Sequence, residues 1–443
     1  MSVSEQISRL LLSLPLVILA CRVGAMVLRR LGQPPVVGEI AAGILLGPSL
    51  LGQLWPQGQK YLFPEWVTDH IEVLGQLGLL TFMVLIGLEL DLGHVRGNGR
   101  AAAVISQTSV LLPLLLGVPL ALGMYASLAP HGADRTAFVL FVAVAMSITA
   151  FPVLARILTD HGIYHSPLGS LAMACAAADD ITAWCLLAVV VALAKGGSPL
   201  GALTTVLMVV VYFAVMMRAV RPLLARLSRS KRVLRDTGEQ DVTALVLLFG
   251  GMCLSALVTD TIGVHALFGA FLFGVALPRS SVVAERAAVR LRSVAIPLLL
   301  PLFFVSTGLR TDIGMLAADP VQWLWLCAVL AVAVVGKWGG GTVAARLIGR
   351  SWREALSLGA LMNCRGLTEL IVLNIGLELG VIGEDLFTVL VLMALITTAV
   401  TSPAVRALGR RTDTAQEGID STESGAGDRV ESTVVDAGTS PEG

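Results

Sequence analysis

Charge is what this sequence has least of. Only 14% of its 443 residues are Asp, Glu, Lys or Arg, against about 25% in an ordinary soluble domain. That scarcity excludes a soluble globular protein, and the 56% apolar content with a mean hydropathy of +0.82 excludes a disordered chain. Cysteines number six, all inside apolar runs, with no CxxC and no Cys/His cluster. This rules out a disulfide framework and a zinc site. Lys and Arg balance Asp and Glu at 31 each, and no basic patch suggests nucleic acid as a partner. HExxH, GxSxG and EF-hand patterns are missing, and the GKWGGG around Lys337 lacks phosphate-loop spacing. None of these signals an enzyme or a cofactor. The ten-residue alternation of a membrane barrel is also absent.

What is present is a series of thirteen apolar segments: about 8–29, 34–52, 71–90, 101–125, 135–158, 167–194, 199–220, 241–260, 262–278, 293–310, 320–348, 353–377 and 385–408. Long uncharged runs such as Ala101 to Pro130 read as membrane helices. The first segment lacks a small-residue cleavage site and reads as a retained helix. If the loops alternate sides, twenty-one Lys and Arg residues fall on one side and five on the other. The positive-inside rule then places the N-terminus outside and the C-terminus in the cytoplasm of a multi-pass cell-membrane protein. Residues 1–410 form the transmembrane domain. A basic linker at about 221–240 is expected along the cytoplasmic surface. Residues 411–443 are rich in Gly, Ser, Thr and acids, and are expected to be a disordered acidic cytoplasmic tail.

The sequence repeats itself. Phe82 to Leu92 (FMVLIGLELDL) is similar to Phe303 to Ile313 (FFVSTGLRTDI), and Val37 to Gly47 (VGEIAAGILLG) to Val264 to Gly274 (VHALFGAFLFG). One match pairs segments 3 and 10, the other 2 and 9. Both offsets are seven segments, an odd number, so the halves run in opposite directions. The fold class is therefore an all-α integral membrane protein of about thirteen transmembrane helices with an inverted-topology repeat, a transporter feature.

Three charges sit deep in apolar runs. Asp179 and Asp180 lie in the middle of the sixth segment, and Lys337 within the eleventh. Each costs about 2.5–3.5 kcal/mol at the membrane centre, so they must pair or line a wet cavity. Adjacent residues on a helix point about 100° apart. One aspartate can meet Lys337 while the other faces the cavity and takes up either a proton or a small cation. Helix breaks add a second signal. Pro152 interrupts the fifth segment beside the hydroxyls of Ser147 and Thr149. Asn363, Arg365, Gly366, Thr368 and Glu369 interrupt the twelfth. These two segments are again seven apart, which makes them two discontinuous crossing helices, the best sequence pointer to an ion site. Arg365 and Glu369, at i and i+4, read as an internal salt bridge, as does Glu39 at the start of the second segment. His265 reads as a hydrogen-bonded packing histidine.

Five motifs, GQPPVVGEIAAGILLGPSLLG, SITAFPVLARIL, AAADDITAW, FFVSTGLRTDI and NCRGLTELIVLNIGL, resemble in order and spacing the monovalent cation/proton antiporters. Within these they resemble the second branch, with its sodium/proton exchangers and its Kef-type and CHX-like members. The resemblance covers roughly residues 10–408. It implies a homodimer in the lipid bilayer in which a core domain moves against a dimerisation domain. It implies exchange of Na+ or K+ for H+ by alternating access. It makes Asp180 the principal carboxylate for the monovalent cation and the proton, with Asp179 and Lys337 its ion-paired neighbours and Thr149 lining the site. CHX-type members often carry Asn at the position of Asp179, so this chain departs from them there. The competing readings are a partner-gated cation channel, a non-transporting membrane sensor, and an intramembrane aspartyl protease. The channel lacks a filter pattern, and the protease would need carboxylates from separate helices.

Overall fold

The computed structural model describes residues 3–89, 99–164, 166–194, 199–228, 238–278, 282–318 and 320–431. Among these every regular element is helical. Twelve helical stretches are long and apolar enough to cross a membrane, and a shorter apolar helix, Ala266–Ala276, joins them. The thirteen expected segments are thus all present, and the ninth is the exception in length. Its 11 residues rise only about 16 Å, roughly half the hydrocarbon thickness. Its brackets explain why. Gly263 turns the chain at φ +93°, the His265 ring accepts from the Leu267 amide (3.3 Å) as a cap, and Pro278 holds Leu277 extended.

In chain order the elements that position the site are α1 (Val3–Arg30), α2 (Pro35–Leu46), α3 (Glu65–Glu89), α4 (Gly99–Leu128), α5 (Arg135–Ser147), α6 (Phe151–Asp160), α7 (Pro167–Ala194), α8 (Pro199–Val215), α9 (Gly238–Ile262) and α10 (Ala266–Ala276). They continue with α11 (Val282–Val294), α12 (Leu300–Leu309), α13 (Pro320–Ala333), α14 (Gly340–Leu347), α15 (Trp352–Met362), α16 (Leu367–Glu378) and α17 (Glu384–Glu431). A π-helical turn, Val334–Gly339, joins α13 to α14 and carries Lys337.

The repeat appears in the packing. The repeat mates are α2 with α10 and α3 with α12, yet α2 packs on α12 and α10 on α3. Glycines allow both crossings. A Cβ on Gly308 of α12 would fall 2.6 Å from the Gly43 Cα of α2, and one on Gly274 of α10 would fall 3.0 Å from the Gly87 Cα of α3. Two equivalent close crossings related by the repeat build a scaffold of α1–α3 and α9–α12. A second body gathers α4–α7 and α13–α17. Its centre is nearly all buried, from Phe138 to Ile148 and from Leu358 to Ile375.

α17 carries the chain as helix to Glu431, through the first part of the acidic segment that begins at residue 411. No proline follows Pro403 within the helix, and extending an existing helix costs far less than nucleating one. Residues 432–443 lie outside the described residues. So do 229–237, which hold most of the basic linker.

Candidate functional site

The fifth and twelfth segments are each broken at mid-depth, and the breaks face one another. Ser147 ends α5, residues 148–150 are extended, and Pro152 stands at the start of α6, where a missing N–H is harmless. Met362 ends α15, and Gly366 carries the chain into α16 at φ +155°. The breaks are stitched together. The Ala150 amide donates to the Cys364 carbonyl (3.0 Å), and the Thr149 hydroxyl lies 3.2 Å from the Met362 carbonyl.

Arg365 holds the carbonyl end of α5. Its Nη1 donates to the Ala145 carbonyl (3.0 Å) and its Nη2 to that of Met146 (2.6 Å). A cation there offsets the negative end of the helix dipole. Nη1 also donates to Glu369 Oε1 (2.9 Å), and Glu369 sits in the first turn of α16, at that helix's positive end. Both side chains of this pair are fully buried. The Arg365 backbone is pinned to the Thr398 hydroxyl of α17, which accepts from its amide (3.0 Å).

Beside the crossing lies the second buried pair. Lys337 Nζ donates to Asp179 Oδ2 (3.0 Å), Thr149 Oγ1 (2.5 Å) and Ser109 Oγ (3.2 Å). Asp179 accepts from Ser106 Oγ (2.6 Å), Ser109 Oγ (2.9 Å) and Thr149 Oγ1 (2.7 Å) as well. Four donors saturate this carboxylate. Its neighbour is in the opposite condition. Asp180 is 5% exposed, and its Oδ1 is buried without a hydrogen-bond partner.

The structure therefore brings Asp179, Lys337 and Thr149 into direct contact and sets Asp180 next to them in sequence. Ser147 is not part of this network, because its hydroxyl donates to the Val144 carbonyl of its own helix (2.7 Å). Asn363 is buried at the break with Oδ1 unpartnered. Glu39 stands apart from the two buried pairs and lines a cavity of about 800 Å³. This cavity opens between the scaffold and α6 at the end of the molecule bearing Arg29, Arg156 and Arg292, hereafter the basic face. Sequence reasoning missed Ser106, Ser109 and Thr398. The signal for the first two was faint: a pair of hydroxyls at i, i+3 on one face of an apolar helix.

Counted as ionised, the buried charged groups among the described residues are Asp179, Asp180 and Glu369 against Lys337 and Arg365. That leaves one negative charge, which one proton or one monovalent cation neutralises. Among the described residues no cluster of three or more His, Cys, Asp or Glu side chains offers a divalent-metal site.

An inverted-repeat helical membrane protein with a crossed pair of broken helices and a buried carboxylate is an ion transporter in architecture. Residues 16–410 match the family described as sodium/hydrogen exchanger, transmembrane, and the chain belongs to that family. The Na(+)/H(+) antiporter NhaS4 of Synechocystis is 42% identical over 85% of this chain and 91% of its own length. Cation/H(+) antiporter 20 of Arabidopsis thaliana is 39% identical over 90% of this chain. K(+)/H(+) antiporter 1 of Saccharomyces cerevisiae is 31% identical over 88%. The chain spans about half the length of these plant and yeast relatives (48% and 45%). The solved structure of the sodium proton antiporter MjNhaP1 from Methanocaldococcus jannaschii shares the fold, with a TM-score of 0.65 over 91% of this chain at 16% identity.

Proposed function

We propose that this protein is a secondary antiporter that exchanges a monovalent cation, Na+ or K+, for protons by alternating access, and that Asp180 carries both. The observation that supports this best is the contrast between the two adjacent aspartates. Asp179 is saturated by four donors, whereas Asp180 Oδ1 has none. A buried carboxylate oxygen without a partner is costly, and a bound proton or cation relieves that cost. Only one of the two fits at a time, and that competition is sufficient for exchange.

Asp179 and Lys337 act as a fixed neutral pair, and Thr149 locks both to the crossing. Arg365 and Glu369 hold the two broken helices in register. Glu39 belongs to the approach from the basic face. In the cycle the body carrying Asp180 moves against the scaffold, so that Asp180 faces one side and then the other. The basic face is the cytoplasmic one in this reading, in keeping with the loop charges, and the N-terminus lies outside the cell membrane. The working unit is a homodimer, as the family resemblance implies; its mass in detergent, measured by light scattering, tests that.

Transport itself is tested in everted vesicles carrying a pH-sensitive dye. Addition of Na+, K+, Li+ or Rb+ in turn should dissipate a preformed proton gradient for at least one ion and rank the ions. No response to any cation from well-inserted protein would refute antiport.

A further inference from the structure

The half-helices α6 and α16 occupy equivalent places in the two repeats, starting at Phe151 and Leu367 just beyond the two breaks. Each turns one stripe toward the scaffold. On α6 the stripe is Pro152, Ala155, Arg156 and Thr159, and it lines the cavity of about 800 Å³ at the basic face. On α16 it is Ile371, Asn374, Ile375 and Glu378, at the same helical spacing. That stripe lines a remnant of only about 50 Å³ at the opposite end. One seam is open and its repeat-related counterpart is shut.

We propose that the shut seam along α16 is the second access path to Asp180, that the Asn374–Thr307 hydrogen bond is its latch, and that Glu378 is the cation-admitting group at its mouth. This rests on the antiport reading above and adds the path and residues for the far face.

The latch spans the two bodies. Asn374 Nδ2, on α16, donates to Thr307 Oγ1 of α12 in the scaffold (3.1 Å), and both residues are buried. The Thr307 hydroxyl can spend its own proton on the Phe303 carbonyl (3.1 Å), which leaves a lone pair for Asn374. Separating the pair without water leaves polar groups unsatisfied, so the seam stays shut until water enters along its length. The mouth is acidic. Arg310 Nη2 donates to Glu72 Oε2 (2.5 Å), and Glu378, exposed at the end of α16, interacts electrostatically with both. Two carboxylates against one guanidinium leave a net negative charge where a cation would enter, and Arg310 already occupies Glu72. Glu378 is the carboxylate left to receive it.

The test uses the full-length protein in liposomes, with the exposed Cys185 and Cys327 replaced by serine and Ile375→Cys added. A membrane-impermeant maleimide is applied from each side. The path predicts slow labelling of Ile375→Cys, confined to the face bearing Glu378. That rate should rise about fivefold when either Asn374→Ala or Thr307→Val removes the latch, as expected for loss of one hydrogen bond. Thr307→Val keeps the side-chain shape, so a folding defect in one variant does not end the test. Glu378→Gln should raise the KM for the transported cation severalfold on its own face and leave it unchanged on the basic face. Labelling rates indifferent to both latch variants, labelling from the basic face, or equal KM changes on both faces would overturn the proposal. Latch-dependent labelling in a protein with no antiport would retain the path and refute the antiport reading. Intact antiport with latch-independent labelling would do the reverse.

Discussion

Lys337 Nζ lies 3.0 Å from Asp179 Oδ2, and both side chains are fully buried. The contact cancels two charges that neither lipid nor packed protein would tolerate alone. It also decides which of two adjacent carboxylates is free. Asp179 is held by Lys337 and three hydroxyls, which in the proposed function leaves the exchangeable chemistry to Asp180.

Breaking that pair from one side should be expensive. Lys337→Met leaves Asp179 ionised and buried, a change that typically costs about 3–5 kcal/mol. The melting temperature in detergent should fall sharply. Lys337→Met combined with Asp179→Asn removes both charges and should recover most of the loss. Equal destabilisation in the single and double variants would show that the pair is not the reason the lysine is buried.

Gly366 should tolerate no side chain. At φ +155° only glycine is at ease, and a Cβ there would fall 2.7 Å from Val153 Cγ2 of α6. Gly366→Ala carries backbone strain of about 1–3 kcal/mol and pushes the two broken helices apart. Both the melting temperature and antiport should drop, whereas Gly380→Ala, with open space around its Cβ, should pay only its backbone term and keep antiport.

Acid should cost stability at the basic face. His161 Nε2 lies 3.1 Å from Ser402 Oγ, which donates to the Gly32 carbonyl (3.1 Å) in the turn after α1. Arg406 Nη2 donates to the same carbonyl (3.3 Å). Burial lowers the His161 pKa below its usual 6.5, the Arg406 charge lowers it further, and Asp160 opposes them. The folded protein therefore binds this proton less readily than the unfolded chain does. The stability that the neutral ring provides is complete above about pH 6.5 and is lost as the pH falls from there through the folded value. Melting curves at pH 7.5 and pH 5 should show an acid loss in the wild type that is smaller in His161→Gln. An equal loss in both would remove His161 from the account.

Much of the site was legible because charge in an apolar run is so improbable. Asp179, Asp180 and Lys337 stood out for that reason alone, and the two breaks were marked by Pro152 and by the polar cluster around Gly366. Hydroxyls carry no such signal. Ser106 and Ser109 look like ordinary membrane-helix serines until the fold sets them against Asp179. Ser147 lies at the break with its hydroxyl turned back to the Val144 carbonyl, as a serine on a helix readily does. The length of α10 escaped periodicity because its neighbours are apolar too; Gly263, His265 and Pro278 mark its ends.

The most direct test of the account is Asp180→Asn in everted vesicles, with insertion and folding checked against the wild type. The substitution keeps the shape and removes the titratable charge. Cation-dependent dissipation of the proton gradient should disappear for every ion the wild type accepts. Dissipation that persists in Asp180→Asn would show that another group carries the exchange.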